Sequence, residues 1–174
     1  GADLRKPRFG EEIGVNENNG ISNFLINKSE ISEIIQTTEI ENLNAISSGH
    51  IPPNPTELLS SSKMEDLFDF VSDKYDYIIV DSPPIGILSD YFILKRFIDS
   101  HLFIVRANYT PIKILENVNK LYDNNDIPKS FLVLNDVKVM SKYGYGYGYG
   151  YGYGYGETKK ASKFQNILTF FKIK

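Results

Sequence analysis

The chain has 174 residues, enough for one domain with a sizeable core, and its 41% hydrophobic and 24% charged residues are typical of globular proteins. The absence of cysteine excludes disulfides and thiolate chemistry, and only two histidines exclude a histidine-rich metal site. The net charge is −3, yet residues 157–174 are basic, and a solvated terminal helix is a more common explanation of such a tail than a nucleic-acid contact. No apolar run reaches the roughly 20 residues of a membrane span, so we expect any anchor to lie outside this chain.

Four short apolar segments predict β-strands, with helical patterns between them. The last three are nearly continuous in apolar residues, as in parallel strands whose two faces are both covered. The alternation of strand and helix predicts a doubly wound α/β fold with a mainly parallel sheet. The predicted strands are residues 43–47, 77–81, 102–106 and 131–135.

Three amphipathic segments predict the helices. The first opens with Asn54-Pro55-Thr56-Glu57, which places a capping residue, a proline at the first helical position and a glutamate at the third. Ser89 precedes the second helix as a capping residue. The predicted helices are residues 55–73 and 90–98, with a third that starts at Thr110-Pro111.

The first three residues, Gly1-Ala2-Asp3, are typical of the end of a strand whose beginning is absent. A complete sheet of this class needs that strand. We therefore expect a sheet that is incomplete at the N-terminus and has an exposed edge.

Residues 143–156 alternate strictly between tyrosine and glycine. Glycine at every second position costs a helix about 1 kcal/mol each relative to alanine and leaves a strand with one bare face, so a flexible segment with accessible tyrosines is predicted. The expected organisation is a folded domain over residues 1–142, the tyrosine cluster over 143–156 and a basic tail over 157–174. The tyrosines are Tyr143, Tyr145, Tyr147, Tyr149, Tyr151, Tyr153 and Tyr155.

The segment from Tyr77 to Pro84 is the strongest local chemical signal. It is an apolar strand that delivers Asp81 to its carboxyl end, the edge at which open α/β sheets bind ligands. A carboxylate there suits Mg²⁺, which prefers hard oxygen ligands. The alternative is that Asp81 merely caps the next segment.

The charged stretch Asp3-Leu4-Arg5-Lys6-Pro7-Arg8 is the second candidate. A carboxylate beside an Mg²⁺-bound phosphate can accept a proton from an attacking hydroxyl, and Arg5 or Lys6 can offset phosphate charge. Taken alone, such a stretch is most often an exposed charged loop.

Three segments in this order, followed by the tyrosine cluster, resemble the bacterial tyrosine kinases, which are P-loop ATPase relatives fused to polysaccharide co-polymerases of the inner membrane. The resemblance spans roughly residues 1–156, and its most distinctive part is rich in proline. The segments are Gly1–Pro7, His50–Leu59 and Ile79–Pro84.

The resemblance assigns roles by position. Asp3 is similar to the aspartate of the family's second Walker motif, a metal-linked base toward the tyrosine hydroxyl, and Arg5 matches its usual arginine. Asp81 is similar to the Walker B aspartate that binds the Mg²⁺ shell. Gly1 stands where many members have another aspartate, which is a departure from the usual metal site.

The chain contains no Gly-x-x-x-x-Gly-Lys-Ser/Thr loop, the Walker A element that cradles phosphates. In the family this loop lies upstream of Gly1. Residues 1–142 are therefore expected to be a partial kinase domain that alone binds its cofactors, ATP and Mg²⁺, poorly or not at all.

The resemblance implies an ATP-dependent protein tyrosine autokinase that regulates exopolysaccharide or capsule synthesis and export. The expected phosphoacceptors are the seven clustered tyrosines, presented by neighbouring subunits of a ring-like homo-oligomer. The other expected partners are the polysaccharide export machinery and a tyrosine phosphatase, with no nucleic acid. The expected location is the cytoplasmic face of the bacterial inner membrane.

Two alternatives remain open from the sequence. A deviant Walker ATPase of the septum- and chromosome-positioning class shares the sheet and the aspartate strand. A non-enzymatic interaction module would use the tyrosine repeat as a spacer or a sticky segment. The tyrosine cluster and the Pro-Pro-Asn-Pro segment favour the kinase.

Overall fold

A computed structural model describes residues 1–85 and 90–137. Among the helices of these residues, none combines the length and the apolarity needed to cross a bilayer. The helices are α1 (Phe9–Ile13), α2 (Ile21–Leu25), α3 (Ile31–Ile34), α4 (Pro55–Leu59), α5 (Ser62–Ser72), α6 (Asp90–Leu94) and α7 (Ile112–Asp123). The strands are β1 (Gln36–Thr37), β2 (Asn44–Ala45), β3 (His101–Arg106) and β4 (Ser130–Asn135).

The last two strands confirm the predicted parallel pairing. The strand β3 pairs with β4 from His101 opposite Ser130 to Arg106 opposite Asn135, and α7 connects them. Within the described residues, one face of this pair is partly covered and the other is open, because Leu102, Ile104 and Phe131, which share a face in this register, are 56%, 61% and 57% exposed. The prediction that both faces are covered is therefore wrong for this part of the chain.

The predicted strand over residues 43–47 is much shorter and lies in a separate sheet from β3 and β4. Only β2 forms, and it pairs antiparallel with β1. The carbonyl groups of Ser47 and Ser48 instead accept hydrogen bonds from the amides of Ile21 and Ser22 at 2.9 and 3.0 Å, so they are not available to a strand. This close approach requires glycine at position 20, since a Cβ atom there would collide with the Ser47 carbonyl oxygen.

The predicted helix over residues 55–73 is two helices, α4 and α5, separated at Ser60 and Ser61. The hydroxyl groups of these serines donate to the carbonyl oxygens of Thr56 and Leu58 at 2.8 and 2.6 Å. These bonds satisfy carbonyl groups at the end of α4, which favours a break there. The predicted helix over 90–98 is α6 followed by a 3₁₀ turn, Lys95–Phe97, and its predicted cap, Ser89, lies outside the described residues.

No strand forms over residues 77–81 within the described part of the chain. The backbone there meets Ala2, whose amide donates to the Asp81 carbonyl oxygen at 2.7 Å. Tyr77 and Ile79 are exposed. A segment forms a β-strand only when its backbone is hydrogen-bonded to a neighbouring strand. Among the described residues, only Ala2 provides such a backbone hydrogen bond, and it does so at Asp81.

Two apolar clusters hold the described residues together. The larger one gathers around α5 and includes Leu4, which precedes Arg5 in the charged stretch. The smaller one lies under β3 and consists of Tyr91, Val118 and Ile127. The buried members of the larger cluster are Ala2, Leu4, Ile21, Phe24, Leu25, Ile34, Leu59, Met64, Leu67, Val71 and Leu94.

The smaller cluster contains a buried polar pair that predicts a pH-dependent stability. The Tyr91 hydroxyl lies 3.0 Å from Nδ1 of His101. Burial lowers the pKa of His101, as does the nearby charge of Lys95, and burial raises the pKa of Tyr91 to about 12. The unfolded chain therefore takes up the His101 proton at a higher pH than the folded chain, so stability is lost as the pH falls below about 6.5.

We expect the urea midpoint of this protein to fall between pH 7.5 and pH 5.5, and His101→Phe to reduce that dependence. The measurement is urea denaturation followed by circular dichroism at the two pH values. The exposed His50 offers a matched control, and His50→Phe should keep the wild-type dependence. Equal pH dependence in the wild type and His101→Phe would contradict the assignment.

Candidate active site

The first residues bring the two predicted carboxylates together. The Gly1 amine donates to the Ile46 carbonyl oxygen at 2.8 Å, and the Ala2 amide donates to the Asp81 carbonyl oxygen at 2.7 Å. Asp3 therefore directly follows Ala2, which is hydrogen-bonded to the backbone of Asp81. The adjacency expected of Asp3 and Asp81 is present, while their catalytic roles stay predictions.

A tight turn orients the Asp3 side chain. Its Oδ1 atom accepts hydrogen bonds from the backbone amides of Arg5 and Lys6, each at 3.0 Å. Such a turn, in which an aspartate binds the backbone just after it, holds the carboxylate in one orientation. Its Oδ2 atom has no hydrogen-bond partner among the described residues, which leaves it available for a proton or a cation.

The electrostatic surroundings of Asp81 fit a divalent cation. Partial burial raises the pKa of Asp81, and the negative charge of Asp3 adds to this. A bound Mg²⁺ would offset the repulsion between these two carboxylates. Two carboxylate ligands are enough for Mg²⁺, because it keeps several of its water molecules.

No group of three or more acidic, histidine or cysteine side chains suited to a metal is found in residues 1–85 and 90–137. The candidate cation ligands are thus the two carboxylates of Asp3 and Asp81. The chemistry of this pair fits a cation shared with phosphate oxygens more closely than it fits a closed structural site.

The Arg5 side chain is held by a buried partner that the sequence did not single out. Its Nε and Nη2 atoms donate to Oδ2 and Oδ1 of Asp90 at 2.7 and 3.1 Å, and Nη2 also donates to the Thr56 hydroxyl at 2.7 Å. The Thr56 hydroxyl donates in turn to Oδ1 of Asp90 at 2.8 Å. The phosphate-offsetting role expected of Arg5 stays a prediction.

The hydrogen bond from Arg5 has the largest effect on the pKa of Asp90. The hydrogen bond from Arg5 holds the pKa of Asp90 below its ordinary value, and the bond from Thr56 acts in the same direction. The Asp90 side chain is 0% exposed. Asp90 is therefore a buried carboxylate that stays ionised at neutral pH.

The proline-rich segment lies at the start of α4. Pro55 is the first residue of the helix, as predicted, and it is buried, while Ile51 is 64% exposed. Asn54 occupies the cap position, but its Nδ2 atom donates to Oε2 of Glu57 at 2.6 Å and its side chain does not bind the helix backbone. The capping prediction is therefore right in position and wrong in its hydrogen bond.

The remaining candidates are the seven tyrosines at odd positions from 143 to 155. They lie outside the described residues. Their role as phosphoacceptors stays a prediction.

Comparison with known proteins supports the same family. Residues 9–127 match the sequence profile of the AAA domain. The chain is 33% identical over 135 residues to the tyrosine-protein kinase wzc of Salmonella typhi, covering 78% of this chain and 19% of that protein. It is 37% identical over 105 residues to the putative tyrosine-protein kinase CapB of Staphylococcus aureus, covering 60% of this chain and 46% of that protein.

Solved structures agree with the sequence comparison. The kinase domain of Escherichia coli tyrosine kinase ETK superposes with a TM-score of 0.75 at 30% identity, covering 86% of this chain and 59% of that domain. The chimerical protein CapA2B2 gives a TM-score of 0.73 at 29% identity, covering 78% and 60%. These matches confirm the predicted α/β fold of the P-loop type.

The profile match spans more than half of the chain, although the chain spans only a fifth to about half of the length of these curated relatives. Family membership implies nucleotide binding with a metal ion. The relatives' names favour the kinase over the septum-positioning ATPase. The chain therefore belongs to the AAA domain family and is related within it to the bacterial tyrosine-protein kinases.

Proposed function

We propose that this chain is part of an ATP-dependent protein tyrosine kinase that phosphorylates the tyrosine cluster of neighbouring subunits. The observation that carries the proposal is the hydrogen bond from the Ala2 amide to the Asp81 carbonyl oxygen, which brings Asp3 beside Asp81. Two neighbouring carboxylates suit a reaction in which charge on phosphate oxygens has to be offset and a hydroxyl proton removed.

The contacts of Asp3 and Asp81 support a separate role for each residue. The Asp81 carboxylate would hold Mg²⁺ through its hydration shell, and the ion would supply positive charge that stabilises the phosphates of ATP. The free Oδ2 atom of Asp3 accepts the proton of the tyrosine hydroxyl. The tyrosine oxygen then bonds to the γ-phosphorus, the bond from that phosphorus to the bridging oxygen breaks, and ADP leaves.

The wider assignments belong to the same proposal. Residues 143–156 serve as the phosphoacceptor segment and residues 157–174 as a basic tail. The protein works as a homo-oligomer at the cytoplasmic face of the inner membrane, in contact with polysaccharide export machinery and a tyrosine phosphatase. Its activity regulates exopolysaccharide or capsule synthesis.

Replacing all seven clustered tyrosines with phenylalanine tests the proposal directly. We expect the full-length variant to lose nearly all phosphotyrosine after incubation with ATP and Mg²⁺, because phenylalanine keeps the ring and removes the attacking oxygen. The measurement is an immunoblot with a phosphotyrosine antibody, together with transfer of radioactive phosphate from ATP.

The matched control removes tyrosines elsewhere. Tyr109 and Tyr122 are exposed, and the double variant Tyr109→Phe, Tyr122→Phe should keep the wild-type signal. A signal that survives in the cluster variant would contradict the proposed acceptors. A wild-type protein that forms no phosphotyrosine would contradict the kinase itself.

A further inference from the structure

The side chains of Arg5, Thr56 and Asp90 form a hydrogen-bonded triad that joins three segments distant in sequence. Arg5 follows the Asp3 turn, Thr56 lies in the first turn of α4, and Asp90 is the first residue of α6. We propose that Asp90, with Thr56, is a positioning residue that holds Arg5 and thereby the turn that presents Asp3 beside Asp81. This inference rests on the proposed kinase function.

The burial of Asp90 calls for an explanation other than stability. Both of its oxygens have partners, at 2.7 Å for Oδ2 and at 2.8 and 3.1 Å for Oδ1. Moving a carboxylate out of water is costly, so an ion pair with one buried partner adds little net stability compared with apolar residues of similar size. What such a pair does supply is a fixed geometry, because the planar guanidinium meets the carboxylate through two parallel bonds.

A short chain of contacts leads from Asp90 to the candidate base. The carboxylate of Asp90 fixes the Arg5 side chain, and the backbone amide of Arg5 donates to Oδ1 of Asp3. On its other side, Asp3 follows Ala2, which is bonded to the Asp81 backbone. The turn is therefore held at both ends, and the loss of Asp90 releases one of them.

The same anchor fixes how Arg5 faces the site. Nε and Nη2 are occupied by Asp90 and Thr56, whereas Nη1 has no hydrogen-bond partner in the described part of the chain. The Arg5 side chain is 35% exposed. Asp90 therefore determines the direction in which the remaining N–H groups of Arg5 are offered to a phosphate oxygen.

The test is the kinetics of autophosphorylation in the full-length protein, with kcat and KM for ATP measured at saturating Mg²⁺. We expect Asp90→Asn to lower kcat roughly 10-fold to 100-fold, since small misplacements of a reacting group have effects of this size. KM for ATP should change less than about threefold, because the interaction acts on the reacting geometry. Thr56→Val removes one hydrogen bond and keeps the ion pair, and should lower kcat about threefold to tenfold.

Two further variants separate positioning from folding. Glu65→Gln makes the same change from carboxylate to amide in the exposed pair with Arg96, whose atoms lie 3.1 Å apart, and should leave kcat unchanged. In an Arg5→Gln background, Asp90→Asn should cause no further loss of kcat, because its effect passes through Arg5. Thermal unfolding midpoints, measured on the same samples, should stay above the assay temperature.

The outcomes distinguish this inference from the proposed function. Wild-type kcat in Asp90→Asn and Thr56→Val, with an active wild-type protein, would overturn it, as would a loss that appears wholly in KM. If Asp90→Asn fails to fold, Thr56→Val decides alone. A wild-type protein without kinase activity would instead overturn the proposed function.

Discussion

Asp81→Asn in the full-length protein is expected to lower tyrosine autophosphorylation at least about 100-fold, the scale on which enzymes lose rate when one preorganised electrostatic group is removed. Asparagine keeps the size of the side chain and removes its charge. The negative charge of Asp81 is unfavourable in this structure, because the side chain is partly buried and lies near the charge of Asp3. Both effects raise the pKa of Asp81. A bound cation is expected to offset the free-energy cost of this charge. The neutral amide of asparagine cannot bind the cation in the same way.

The measurement is transfer of radioactive phosphate from ATP at saturating Mg²⁺, with Asp81→Ala as a second variant. Asp99→Asn is the matched control, because Asp99 is exposed and precedes β3, at the opposite end of the sheet from the carboxyl ends of the strands. It should behave as the wild type. Normal phosphotyrosine levels in either Asp81 variant would show that the role assigned to Asp81 is wrong.

The sequence predicts those parts of the fold that depend on local patterns. Residues 102–106 and 131–135 are short apolar runs separated by an amphipathic helix, and they form the parallel pair β3 and β4. Residues 43–47 look equally apolar at their start, but the carbonyl groups of Ser47 and Ser48 bind the first amides of α2, more than twenty residues earlier. That competition is tertiary, and no local pattern reveals it.

The residues of the candidate site also differ in whether a local sequence pattern reveals them. Asp3 and Asp81 can be found because each stands at the end of a recognisable segment, and the structure brings them together. Asp90 could not be found, since its importance depends on Arg5, 85 residues away, and on Thr56, 34 residues away. The only sequence signal for Asp90 is its place at the start of a helix, which is shared by many acidic residues of no chemical role.

Phosphorylation of the tyrosine cluster is expected to convert the proposed homo-oligomer of the full-length protein into monomers. Each phosphate adds about −1.5 to −2 charges at neutral pH, so seven add on the order of −10 to −14 to a segment that contains no charged residue. A neutral tyrosine segment can enter a neighbour's active site. A strongly charged one is repelled by its own copies and by the acidic remainder of the chain, which weakens a ring held by exchange of this segment.

Nearby lysines do not reverse this direction. Lys159, Lys160 and Lys163 follow the cluster, and three cations cannot balance seven phosphates. Sedimentation velocity before and after phosphatase treatment should show oligomers only in the dephosphorylated sample, and the variant with seven phenylalanines should stay oligomeric with or without ATP. Because salt screens exposed charges beyond about 10 Å at 0.1 M, raising the salt concentration should partly restore association of the phosphorylated protein. An unchanged or larger oligomer after phosphorylation would defeat the prediction, since repulsion between charged segments can only oppose their assembly.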